Sequence, residues 1–309
     1  MKHIFIINPT AGKRNQTSGI LAMAESLRHR HGLDCTCLLT ERPGGATELA
    51  RRAAETGEEI RVYACGGDGT SGEVANGLAG FENAAMTCIP IGTGNDLLKN
   101  FGEDAEKFSD AENLWNGPQF PLDLIDCNGR YALTIACAGI DARVAEDVHK
   151  YSASPLLNGK GSYVAALIVN FLFKGIAQRW AVTVDGTTTI GNYSLVTVCN
   201  GRHYGGGFLP LPQARMDDGI LDTMIVPGIS RTTFTRFVGP YSTGNWQRFS
   251  HIVHVVRAKE IRIQAEESGL TVCIDGETFR LKDVTFRLAD KKVYFFGPPG
   301  CDCNRSSRG

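Results

Sequence analysis

Three sets of residues in this chain have types and spacings that could do chemistry. The first is Gly66-Gly67-Asp68-Gly69-Thr70-Ser71-Gly72. Closely spaced glycines let backbone N–H groups converge on an anion, and a helix starting there adds the positive end of its dipole. Asp68 sits inside this phosphate cradle, where a bare carboxylate would repel phosphate. A metal ion or a substrate proton between the two removes the conflict, so the loop points to a nucleotide-phosphate site with metal or proton-transfer chemistry. The second set is Asp217-Asp218-Gly219 with Asp222. These hard oxygen donors suit Mg²⁺ or Ca²⁺, or else form a turn with solvated carboxylates. The third is Asp275-Gly276-Glu277, where the apolar run Cys273-Ile274 stops at two carboxylates one glycine apart. An alcohol must lose its proton as it attacks a phosphoryl group, and a positioned carboxylate can take it. From local sequence alone, Asp275-Gly276 reads as a hairpin turn.

Short strands and amphipathic helices alternate around the first set. Strands are predicted at residues 4–7, 35–39, 60–64 and 87–91, and helices at 20–30, 46–55 and 73–78. This order predicts a parallel sheet with right-handed crossovers, whose ligands bind outside the carboxyl ends of the strands. Asn8-Pro9-Thr10-Ala11-Gly12, the 66–72 loop and Gly92-Thr93-Gly94-Asn95-Asp96 all fall at such ends. After about Asp126 the pattern turns β-rich, with strands predicted at 131–136, 180–184, 194–199, 221–226, 251–256, 260–264, 271–274 and 285–288. The expected architecture is therefore an α/β domain over 1–125 and an all-β sandwich over 126–285, with one helical insertion around 163–176. The Gly/Pro/Ser-rich tail 297–309, with Cys301 and Cys303, reads as flexible.

Composition narrows the classes. In 309 residues, a hydrophobic content of 42% supports a real core, and a net charge of −1 gives no support to a nucleic-acid partner. Met1-Lys2-His3 runs straight into a strand, which leaves no room for a signal peptide. The longest apolar run, 163–173, is too short to cross a bilayer, which takes about 20 residues. Ten cysteines show no CxxC pair or zinc spacing, and most lie in strand-like runs as reduced core thiols. The chain reads as cytoplasmic.

The motifs occur in a recognisable order. They are Gly66-Gly67-Asp68-Gly69-Thr70, Pro90-Ile91-Gly92-Thr93-Gly94-Asn95-Asp96, Asn200-Gly201 with Tyr204-Gly205-Gly206-Gly207-Phe208, Asp218-Gly219-Ile220-Leu221-Asp222 and Asp275-Gly276-Glu277. Together they resemble the diacylglycerol kinase catalytic family in its bacterial branch, over nearly the whole chain. The resemblance implies a three-layer α/β nucleotide domain like those of NAD kinase and phosphofructokinase. A β-sandwich lipid-substrate domain follows it, and a segment at about 286–296 returns to the first domain. It also implies ATP as phosphoryl donor and Mg²⁺ as cofactor. Asn8, Pro9, Thr10, Ala11, Gly12, Lys13 and the 66–72 loop would hold the phosphates, and Thr40 and Thr93 would line the nucleoside end. Asp275 would be the general base, Glu277 would support it or join the metal shell, and Asp68 would lie near the transferred phosphate. A structural Mg²⁺ would take the Asp218 side chain and the carbonyls of Arg215 and Ile220, and Asp123 would join a network towards the active site. Lys99 stands where many relatives carry arginine, keeping the charge without the bidentate geometry.

The resemblance further implies a lipid acceptor, diacylglycerol first, with sphingoid bases, ceramide and phosphatidylglycerol as alternatives, and a homodimer as in relatives. NAD kinase shares the Gly-Gly-Asp-Gly-Thr loop but leaves the later motifs unexplained. A nucleotide-binding regulator without turnover has no chemical need for Asp68, Asp275 and Glu277 together. An enzyme acting on lipid must touch a membrane surface. Residues 156–173, with Lys150, Lys160, Lys174 and Arg179 around them, could form that contact or a buried helix.

Overall fold

The computed structural model describes residues 1–12, 15–92, 94–152, 175–265 and 269–303. Lys13, Thr93, Lys160, Lys174 and the expected helical insertion up to residue 174 lie outside the described residues. The chain divides into two compact units. Unit 1 comprises Met1–Leu124, Arg215–Asp218 and Ala289–Gly309, and unit 2 comprises Ile125–Ala214 and Gly219–Leu288.

Unit 1 is the expected α/β layer. Its strands β1 (Lys2–Ile7), β2 (Asp34–Leu39), β3 (Ile60–Gly66) and β4 (Ala84–Pro90) alternate with helices α1 (Thr17–His31), α2 (Gly45–Ala54) and α3 (Asp68–Leu78). The sheet order is β2-β1-β3-β4-β17-β5, with β5 at Gln119–Leu122 and β17 at Val293–Phe296. All pairs are parallel except β17 with β5. Every residue of β3 is buried, as a central strand covered on both faces requires. The helices bury apolar stripes, Ala46, Ala50 and Ala54 on α2 and Ile20, Ala24 and Leu27 on α1. β17 fills the place beside β4 with the C-terminal return segment, which here begins at Ala289. The tail departs from the sequence expectation: Gly297, Pro298 and Cys303 are buried. Gly297 lies so close to Phe108 and Cys301 that a side chain there would collide with the Cys301 sulfur. Residues 304–309 lie outside the description.

Unit 2 is an antiparallel β-structure over two packed layers. Its long strand β10 (Thr187–Cys199) pairs with β9 (Gln178–Val184) through its first half. Through its second half it pairs with β8 (Ile135–Gly139) and β11 (Leu221–Pro227). A register shift between Tyr193 and Leu195 lets one strand serve both layers. Trp180, Val196, Ile261, Val272 and Phe286 meet in the core between them. This is the expected β-sandwich-like unit, and its strands are accompanied by α5 (Ile140–Ser152) and, past the short α4 (Asp96–Lys99) of unit 1, α6 (Arg231–Ser242). Strands β14 (Leu270–Ile274) and β15 (Glu277–Leu281) form a hairpin whose tip is Asp275-Gly276, both at positive φ. That is the hairpin turn read from the local sequence.

Candidate active site

In unit 1 the three glycine-bearing loops meet at the carboxyl ends of β1, β3 and β4. α3 starts at Asp68, five residues before the expected helix, so Gly69 to Gly72 form its first turns. Gly67 is extended, and its carbonyl accepts the first helical bond from the Ser71 N–H at 3.1 Å. The opening N–H groups of a helix have no intrahelical partner, and here they include those of Gly69 and Thr70. The space around Gly69 is open, with nothing within 4 Å of where a side chain would begin. The segment expected to cradle phosphate is thus the N-terminus of an 11-residue helix.

The neighbouring loops are packed against that terminus. The Asn8 N–H donates to the Cys65 carbonyl at 3.0 Å, and its Nδ2 donates to Thr70 Oγ1 at 3.2 Å. Asn8 Oδ1 accepts from the N–H and hydroxyl of Thr10, which fixes the Pro9-Thr10-Ala11 turn. Gly92 lies against Gly67 with no room between, since a Cβ on Gly92 would sit 2.7 Å from Gly67 Cα. A Cβ on Gly94 would meet Asp68 Oδ2 at 2.3 Å. The Asp96 N–H donates to Asp68 Oδ1 at 2.6 Å. Asp68 therefore links the 66–72 and 92–96 segments and sits in the first turn of α3, where the helix dipole favours a carboxylate. Gly12, at positive φ, abuts the Ile91 carbonyl, and Thr40 donates its N–H to Ile7 O at 2.9 Å, continuing the β2–β1 pairing. Lys99 pairs with Asp96 at 2.5 Å, so its charge serves the same loop.

Two residues around this half carried no signal in the sequence reading. Glu73, on α3, accepts the N–H groups of Gly44 at 2.8 Å and Ala46 at 3.0 Å and so caps α2, whose own N-cap glycine has no side chain to do it. Lys292 lies 2.9 Å from Asp123, whose side chain is 2% exposed. The Asp123 N–H donates to the Met216 carbonyl at 2.7 Å, which ties the 215–218 segment to unit 1.

Asp218 is exposed. Among the described residues no three His, Cys, Asp or Glu side chains converge as a metal-binding group. One carboxylate with main-chain carbonyl oxygens is nonetheless a hard donor set that fits Mg²⁺, which keeps several waters. Of the expected set, Arg215 and Asp218 belong to unit 1 and Ile220 to unit 2.

In unit 2 the Asp275 carboxylate is held by one backbone segment. Oδ1 accepts from the Thr134 N–H at 3.0 Å, the Thr134 hydroxyl at 2.6 Å and the Ile135 N–H at 3.1 Å. Oδ2 accepts from the Leu133 N–H at 2.5 Å. The Asp275 N–H in turn donates to the Ile135 carbonyl at 3.0 Å. Asn200 and Gly201 grip the same segment from the other side. Their N–H groups reach the Thr134 carbonyl at 2.8 Å, and Asn200 Nδ2 reaches the Leu133 carbonyl at 2.7 Å. Burial of the carboxyl pushes Asp275 above the ordinary carboxylate range, against the pull of Thr134 and the backbone N–H groups. Glu277 is exposed and pairs with Arg130 at 2.8 Å.

A second carboxylate held by several donors, Asp141, also went unnoticed in the sequence. Its Oδ2 accepts the hydroxyls of Tyr241 at 2.7 Å, Tyr204 at 3.0 Å and Thr197 at 3.0 Å. Burial raises its pKa, opposed by those three hydroxyls. Tyr204 opens the Gly205-Gly206-Gly207 turn and packs on Phe208, so the glycine motif seats one of the donors. The available signal was Asp141 at the start of an amphipathic stretch directly after a buried strand.

Comparison with known proteins identifies the family. The family described as diacylglycerol kinase catalytic domain matches residues 2–127. The family described as YegS C-terminal NAD kinase beta sandwich-like domain matches residues 134–293. The chain belongs to the YegS-like diacylglycerol kinase family. It is therefore a phosphotransferase with an alcohol acceptor, of the lipid kinase class. It is 29% identical over 299 residues to a probable YegS-like lipid kinase of Pseudomonas aeruginosa, covering 94% of this chain and 92% of that protein. It is 27% identical to a diacylglycerol kinase of Bacillus subtilis, covering 88% of each. A putative diacylglycerol kinase from Bacillus anthracis, 24% identical, shares the fold with a TM-score of 0.75 over 96% of each chain. No helix among the described residues is long and apolar enough to cross a membrane.

Proposed function

We propose that this lipid kinase transfers the γ-phosphoryl group of ATP to the hydroxyl of diacylglycerol, giving phosphatidic acid. The observation that carries the reading is the N-terminus of α3. Three loops packed backbone to backbone surround its first N–H groups, and Asp68 is locked into its first turn. Such a terminus binds polyphosphate through main-chain donors and the helix dipole. Asn8, Thr10 and Gly12 close the same region from β1, and Thr40 borders the nucleoside end. In this reading Asp275 of unit 2 accepts the proton of the acceptor alcohol as its oxygen attacks the γ-phosphorus. Burial favours that role, because a carboxylate of raised pKa is the stronger base. Glu277, paired with Arg130, keeps negative charge beside the hairpin tip. Mg²⁺, held by Asp218 and the carbonyls of Arg215 and Ile220, would supply fixed positive charge that offsets the Asp217-Asp218 pair. The diacylglycerol assignment draws support from the named activity of the Bacillus subtilis relative.

The test is transfer of labelled γ-phosphate from ATP and Mg²⁺ to diacylglycerol, sphingosine, ceramide and phosphatidylglycerol in mixed micelles, with NAD in solution. Labelled phosphatidic acid is the expected product. Label in another lipid would replace the acceptor, and label in NAD alone would overturn the lipid reading.

A further inference from the structure

The four hydrogen bonds to Asp275 are divided unequally between its two oxygens, and the division assigns a role to Thr134. A carboxylate offers about two lone-pair sites on each oxygen. Oδ1 receives three donors, two from Thr134 and one from Ile135, and is saturated. Among the described residues, Oδ2 receives only the Leu133 N–H and keeps a site open. The Thr134 hydroxyl is the one side-chain donor in the set and lies 2.6 Å from Oδ1. Thr134 is 5% exposed, so water does not readily replace that bond. Its carbonyl is held by the N–H groups of Asn200 and Gly201, which fixes the backbone that aims the hydroxyl.

We propose that Thr134 is a positioning residue that saturates Oδ1 and leaves Oδ2 as the atom that takes the proton from the acceptor alcohol. The inference rests on reading Asp275 as the general base. In that step the alcohol O–H bond breaks and its proton goes to Oδ2. The alcohol oxygen bonds to the γ-phosphorus, and the bond from γ-phosphorus to the bridging oxygen breaks to release ADP. The Thr134 bond favours the charged form of Asp275, whereas burial favours the neutral form, so the hydroxyl sets how basic Oδ2 is. Cys127 of β6 (Ile125–Cys127) is buried, and its thiol is pushed up, so it stays neutral. Glu277 on the same hairpin is paired with Arg130 of β7 (Arg130–Ala132).

The experiment compares the parent enzyme, Thr134→Val, which keeps the β-branched shape without the hydroxyl, and Thr134→Ser, which restores the hydroxyl. The Asp275 carboxyl carbon is followed by ¹³C NMR titration in ¹³C-aspartate-labelled protein, with its signal assigned from Asp275→Asn. The pH dependence of kcat is measured in parallel. In Thr134→Val the titration midpoint is expected to rise by about one pH unit. The acid limb of kcat should rise with it, the KM for ATP should stay unchanged, and Thr134→Ser should return both to the parent values. A midpoint that stays put in Thr134→Val would overturn the inference. A midpoint that moves while the kcat limb does not would instead overturn the general-base reading, so the two failures are distinguishable.

Discussion

Gly69 and Gly92 lie in the same loop cluster, but substitution to alanine should affect them in opposite ways. Gly92 is packed on main chain, with the prospective Cβ at 2.7 Å from Gly67 Cα. Carbon atoms ordinarily rest about 3.5–4.0 Å apart, so the two loops must part by about 1 Å. Overpacking of this kind costs about 1–3 kcal/mol. For a unit of this size that is a fall of roughly 3–10 °C in melting temperature. Gly69 has nothing within 4 Å and lies in the first turn of α3 at a φ that alanine adopts freely. Its replacement leaves the fold intact or gains up to about 1 kcal/mol in helix propensity. If the ATP phosphates sit on that terminus, the new methyl group stands where they approach and costs one charge-assisted hydrogen bond, about 1.5–3 kcal/mol. That corresponds to roughly 10- to 150-fold in ATP affinity. Calorimetric ATP titration and thermal melting of both variants separate the effects. An unchanged ATP dissociation constant in Gly69→Ala would refute the placement of phosphate at α3. An unchanged melt in Gly92→Ala would refute the packing argument.

Two further outcomes follow from unit 1. His3 is fully buried against Tyr63, and its pKa is lowered to about 4 by burial and by Arg61, from 6.5 when unfolded. The unfolded chain therefore binds the extra proton first, and the stability held above pH 6.5 is lost as pH falls towards 4, about 2 kcal/mol of it by pH 5. Urea unfolding of His3→Gln should show a flatter dependence between pH 7 and 5, and a slope identical to the parent's would refute that assignment. Glu73→Ala removes the cap on α2 and should cost about 1–2 kcal/mol, read as a lower urea midpoint. A midpoint equal to the parent's would show that water caps the helix equally well.

The first unit was legible in the sequence because its strands are continuous apolar runs and its loops carry glycines at strand ends. β1 to β4 and the helices between them lie where the periodicity put them. The start of α3 did not show, because Gly69 and Gly72 depress helix propensity, and only packing on Asn8 and Gly92 makes the helix begin at Asp68. α6 escaped for a similar reason. Its threonines, Gly239 and Pro240 argue against a helix, although the Ser230 side chain caps it by accepting the Thr233 N–H at 3.1 Å. Glu73 capping Gly44, and Thr134 holding Asp275, join residues 29 and 141 positions apart. No local pattern encodes such pairs. Asp275 lies at the hairpin tip that its local sequence predicts, and a hairpin tip can also present a carboxylate.

The most direct test of the account is Asp275→Asn, assayed for phosphoryl transfer to diacylglycerol and for ATP binding on the same preparation. Asparagine keeps an acceptor for the Thr134 and Ile135 donors, and a melt measured alongside shows whether the hairpin survives. The account predicts a fall in kcat of about 10²–10⁴-fold with ATP affinity retained. A kcat within a few-fold of the parent's, in a folded protein that binds ATP, would contradict the assignment of Asp275 as the base.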